Sequence, residues 1–78
     1  MPVVEISQTV DARGLSCPMP IVKTAQAAKT MASGEVLELL ATDAGSQKDV
    51  VAWCRSTGNE LVDATSDGVT YRYVIRRK

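Results

Sequence analysis

The chain has 78 residues, with nine basic and nine acidic side chains, two cysteines and no histidine. A chain of this length buries only about 60% of its unfolded surface, so the expectation is one domain over residues 1–78, with a small core and no room for a second. Cancelled charge argues against a general nucleic-acid or membrane-surface binder, and two cysteines without histidine are too few soft ligands for a zinc site. The opening residues lack the charged and apolar pattern of a signal peptide, and no stretch approaches about 20 apolar residues, so a soluble cytoplasmic protein is expected. In that reducing compartment a bond between Cys17 and Cys54 is disfavoured and both thiols should be free.

Residues 3–11 alternate, with Val4, Ile6 and Val10 on one side and Glu5, Ser7, Thr9 and Asp11 on the other, which predicts a half-buried strand. Arg13-Gly14 breaks it. Over residues 18–32 the apolar positions Ile21, Val22, Ala25, Ala28, Met31 and Ala32 recur at helical spacing. Lys23, Thr24, Gln26, Lys29 and Thr30 take the other face, and Ser33-Gly34 closes the helix, with Gly34 suited to a left-handed cap. Residues 35–41 form a second strand, apolar enough at Val36, Leu37, Leu39 and Leu40 to lie centrally in a sheet. Residues 42–45 turn the chain, and Ser46 with Asp49 resembles a capping box at the start of a second helix. That helix runs to about Thr57, turns Val50, Trp53, Cys54 and Thr57 inward, and closes at Gly58.

Residues 61–66 and 69–76 are strands joined by Asp67-Gly68, a two-residue loop suited to a type I′ turn. In the last strand Val69, Tyr71, Tyr73 and Ile75 point one way and Thr70, Arg72, Val74 and Arg76 the other. The order βαβαββ predicts an α+β fold. A parallel pair made by the first crossover and an antiparallel closing hairpin give a mixed four-stranded sheet, and the one-sided helices give a two-layer α/β sandwich.

Cys17-Pro18-Met19-Pro20 is the stretch that carries chemistry. Proline is preset for the first helical position and gives up an N–H that has no partner there, so Pro18 reads as the first helical residue and Cys17 as its cap. A thiolate at that end of the helix dipole gains roughly 0.3–1 kcal/mol, and about 1.36 kcal/mol lowers a pKa by one unit. Both helices should start at the carboxyl edge of the parallel strands, lining one rim with Cys17, Asp43, Ser46 and Lys48. With Arg13 and Lys48 as possible anion or partner contacts, that rim reads as an electropositive shelf.

Other residues have plainer readings. Cys54 shares a helix face with Val50 and Trp53 and belongs to the core. Tyr71 and Tyr73 could form a base-stacking platform, yet Val69 and Ile75 share their face and the net charge is zero, so they read as core too. Arg76-Arg77-Lys78 is a solubilising end, with partner docking as the alternative. Without histidine, a spaced carboxylate pair or a glycine-rich phosphate loop, cysteine-hydrolase chemistry is not expected. A thiolate attacking a sulfur electrophile needs none of these, because the leaving thiolate requires no separate acid.

The run from Asp11 to Pro20, Asp-Ala-Arg-Gly-Leu-Ser-Cys-Pro-Met-Pro, resembles the signature of the TusA/SirA family of small sulfur-carrier proteins. The similarity continues through Ala41-Thr42-Asp43 and Gly58-Asn59-Glu60-Leu61, and so covers nearly the whole chain. It implies the same two-layer sandwich and a function: Cys17 accepts sulfane sulfur as a persulfide and passes it on, with Gly14, Pro18 and Pro20 as the supporting motif. It also implies a cysteine desulfurase or rhodanese-like donor and a DsrE/TusBCD-like acceptor; no cofactor or metal is expected. Carriers of this family feed tRNA thiolation, molybdenum-cofactor maturation or sulfur oxidation, and this protein alone is expected to load once and stop rather than turn over. Ala44 departs from the pattern, since family members often have proline after the Thr-Asp pair. The rival readings are a regulatory or binding module and a thiol redox sensor.

Overall fold

The order βαβαββ is present in the computed structural model, which describes residues 5–78. The elements are β1 (Ile6–Ala12), α1 (Met19–Ala28), β2 (Val36–Ala41), α2 (Ser46–Thr57), β3 (Glu60–Ser66) and β4 (Tyr71–Arg76). The strands lie in the order β1-β2-β4-β3, with β1 parallel to β2 and β4 antiparallel to both β2 and β3. The most apolar strand, β2, is thus interior, as its composition requires. α1 packs on β1 and β2, α2 on β3 and β4, and the helices touch each other, so both cover the same face. Between them and the sheet lie Val10, Ala12, Leu37, Leu39, Ala41, Tyr73 and Ile75 from the strands and Val50 and Cys54 from α2, joined by Met31. The alternation in β1 matches the one expected, although Val3 and Val4 lie outside the described residues.

α1 ends at Ala28, short of the predicted Ala32, because the amides of Thr30 and Met31 bond back to Ala27 and Ala28 in tighter turns. Its buried stripe is Pro20, Thr24 and Ala28, while Val22 and Ala32 are exposed. Thr24, read as an outer residue, is fully buried because its hydroxyl donates to the Pro20 carbonyl at 2.8 Å and so needs no water. Gly34 does not cap this helix. It sits further along, where its N–H donates to the Arg77 carbonyl and Arg77 N–H donates to Glu35, both at 2.8 Å. Arg77 Nε also donates to the Met31 carbonyl at 2.8 Å, Lys78 N–H to Asn59 Oδ1 at 2.9 Å, and Arg76 pairs with Glu60 at 2.9 Å. The basic end is therefore sewn into the fold rather than left loose.

α2 closes at Gly58 as expected, in a left-handed conformation at φ 78° that a side chain would strain. Its start differs: Gly45 is the cap residue and no side chain caps the helix. The Ser46 hydroxyl is instead buried against the Tyr73 hydroxyl at 2.8 Å, where either can donate. Tyr73→Phe is expected to cost roughly 1–3 kcal/mol by orphaning the Ser46 hydroxyl. Urea unfolding measures it, and adding Ser46→Ala should recover part of the loss.

The hairpin loop spans residues 67–70 rather than two residues. Asp67 Oδ1 accepts the amides of Val69 and Thr70 at 2.9 and 2.8 Å, and the Asp67 N–H donates to the Thr70 carbonyl. Those amides, Thr70's first, pull the Asp67 carboxyl below its ordinary range. Val69 consequently leaves the sheet face predicted for it and is 71% exposed. Tyr73 is core, as read, and Tyr71 stacks near it at a ring separation of 6.5 Å. Among the described residues no helix is long and apolar enough to cross a membrane.

Candidate functional site

Two tight turns carry the chain from β1 to α1. Leu15 N–H donates to the Ala12 carbonyl at 3.2 Å, and Met19 N–H donates to Ser16 at 2.9 Å. Within the first, Gly14 takes φ 82°, which glycine adopts freely, and its N–H reaches Thr42 Oγ1 at 2.9 Å. The Cys17–Pro18 peptide bond is cis. Pro18 is the cap residue of α1 and Pro20 is already inside its first turn, so Cys17 stands just ahead of the cap position predicted for it. The Pro18 carbonyl, not that of Cys17, receives the first helical amides, from Ile21 and Val22 at 3.1 Å. Cys17 is exposed and Cys54 is buried, and both are free thiols.

Parallel pairing of β1 and β2 brings their carboxyl ends together, and with them the turns that follow. Asp43, just past β2, accepts the Cys17 N–H on Oδ2 at 3.2 Å. Asp49, from the first turn of α2, accepts the Cys17 thiol on Oδ2 at 2.7 Å. Of the four residues predicted on this rim, Cys17 and Asp43 do meet. Ser46 is turned under the helix to Tyr73, and Lys48 is exposed. Arg13 forks onto Asp11, with Nε and Nη2 donating at 2.9 and 2.8 Å, and this pairing holds the Asp11 carboxyl down at about 2.

The electropositive shelf expected from the two helix starts is therefore not what faces the sulfur. Two carboxylates do. The Cys17 thiol is pushed up rather than down, first by its hydrogen bond to Asp49, then by desolvation and by the charges of Asp49 and Asp43. The cause is simple: a thiolate has no proton to share with an acceptor-only carboxylate and is repelled by it. Asp49 went unread as a sulfur partner because Ser46-x-x-Asp49 has the form of a helix cap. The signal was nevertheless present, since the topology that placed Lys48 on this rim placed the first turn of α2 there as well. Cys54 is as read, its thiol pushed up by burial among Val50 and the strands.

These features define a small two-layer α/β fold that offers one exposed thiol at the carboxyl edge of a parallel strand pair. Residues 8–77 match the family Sulfurtransferase TusA, and the chain belongs to that family. A protein of Halobacterium salinarum described as a candidate sulfur carrier is 46% identical over 94% of this chain and 91% of its own length. The sulfur carrier protein TusA of Allochromatium vinosum is 40% identical over 94% of this chain and 96% of its own. In fold, the chain is similar to the crystal structure of a SirA-like protein from Desulfitobacterium hafniense, with a TM-score of 0.77 at 22% identity, covering 88% of this chain and 95% of that one.

Proposed function

We propose that this protein is a sulfur carrier of the cytoplasm that takes sulfane sulfur from a donor protein as a persulfide on Cys17 and relays it to an acceptor protein. The observation that carries this reading is the exposed Cys17 thiol, held by the family signature in a turn braced by Gly14, Pro18 and Pro20. The curated relatives named as sulfur carriers support it. The chemistry fits what stands around the sulfur: transfer between thiols needs a reachable nucleophile and no dedicated acid for the leaving thiolate. Lys48 is exposed and can meet a partner, whereas the charge of Arg13 is matched by Asp11.

Incubation with glutathione persulfide followed by intact mass spectrometry tests the proposal. The expected result is a gain of one sulfur atom that dithiothreitol removes. A protein that gains only oxygen or a whole glutathione would behave as a redox sensor instead, and the carrier reading would fall.

A further inference from the structure

We propose that Asp49 is the proton partner of the Cys17 sulfur, holding the S–H proton of the empty thiol and then that of the persulfide, so that the outer sulfur stays neutral and open to attack. This rests on the carrier reading above and adds to it the direction in which the loaded site is biased. The geometry is specific. Asp49 reaches the sulfur from α2 at 2.7 Å while Asp43 ties down the Cys17 amide from the turn after β2, so the sulfur is held at a junction of two carboxylates. The charged groups around it can be assigned element by element. On the turn after β1, Arg13 is matched by Asp11; on the turn after β2 stands Asp43; on α2 stand Asp49 and the exposed Lys48. Lys48 and Asp49 are consecutive helical positions and do not face the same way. The raised thiol has the same origin, with the Asp49 hydrogen bond first among its causes.

The chemistry follows both steps. In loading, the Cys17 sulfur attacks the outer sulfur of R–S–S–H. The S–S bond of the donor breaks with its electron pair going to R–S⁻, a new S–S bond forms at Cys17, and the Cys17 proton ends on the departing thiol. In discharge, an acceptor thiolate attacks the outer sulfur and the electron pair of the Cys17 S–S bond returns to Sγ. That atom then regains a proton from solvent and with it the bond to Asp49. No oxidant or reductant is consumed, since the sulfane sulfur keeps its oxidation state throughout. A persulfide anion would be a poor target for an incoming thiolate, because two negative charges must approach one another. An S–S bond of about 2.04 Å extends the site by little enough for side-chain rotation to keep the terminal S–H within reach of the carboxylate.

Asp49→Asn, with Asp49→Glu as the charge-preserving control, tests this on protein loaded with glutathione persulfide. In Asp49→Asn the pH midpoint for iodoacetamide alkylation of the empty thiol is expected to fall, and each unit of that fall raises the thiolate fraction at neutral pH roughly tenfold. Discharge of the persulfide to free cysteine, followed by intact mass, is expected to slow several-fold at the same pH. A merely structural role would not move alkylation and discharge in opposite directions. Asp49→Glu should stay nearer wild type in both readouts. If wild-type protein loads and Asp49→Asn discharges as fast or faster, the proton-partner proposal is overturned. If wild-type protein takes up no sulfur, the carrier reading fails first and this proposal with it.

Discussion

Serine in place of Cys17 will leave the fold intact and abolish sulfur uptake. The side chain is exposed and its hydroxyl can still donate to Asp49, so stability should stay within about 0.5 kcal/mol of wild type. Function should not survive, because an unactivated hydroxyl is a weak nucleophile and no histidine is present to activate it. Nor can the second cysteine substitute: Cys54 is 4% exposed, faces the core from the inner side of α2, and has its thiol raised by burial. Mass spectrometry after exposure to glutathione persulfide should therefore show the added sulfur in wild type and in Cys54→Ala, and none in Cys17→Ser. A Cys17→Ser protein that still gains sulfur would move the chemistry elsewhere.

The largest effect on stability is expected at Leu39. It is fully buried in an interior strand, in register with Val10 on one side and Tyr73 on the other. Leu39→Ala removes its transfer energy and leaves a cavity, a combined cost of about 2–5 kcal/mol. Stability of roughly 0.05–0.15 kcal/mol per residue gives this chain a total on the order of 4–12 kcal/mol. One truncation thus consumes a large part of it, and the urea midpoint should fall steeply with little change in slope. Val22→Ala, at a position 38% exposed on α1, is the contrasting case and should stay within about 0.5 kcal/mol. Comparable losses at both sites would contradict the packing described.

The succession of elements, the one-sided helices and much of the core were legible because they rest on periodicity, and β2 showed its interior place through a run of apolar residues; the interior place of β4, between β2 and β3, was not. What sequence could not give was the destination of short polar side chains. Thr24 looked like surface until its own helix supplied a carbonyl for its hydroxyl. Ser46 and Asp49 matched a capping pattern, yet Ser46 turns inward to Tyr73 and Asp49 across to Cys17. Asp67 lengthened the hairpin by gathering two amides on one oxygen. In each case a local rule competed with a partner distant in sequence or with an extra hydrogen bond nearby. The same competition reversed the electrostatics at Cys17: the helix start was real, but a carboxylate from another helix sits closer to the sulfur than any benefit of the dipole.

The last paired residues of the parallel strands, Ala12 and Ala41, lie opposite one another, and the loops bearing Cys17 and Asp43 leave from just beyond them. The main-chain ladder thereby brings the two turns together, and the Thr42, Asp43 and Asp49 side chains hold the thiol's turn within that frame. Exposed positions such as Lys23 and Gln26 on α1 take no part in that arrangement and can vary without moving the thiol.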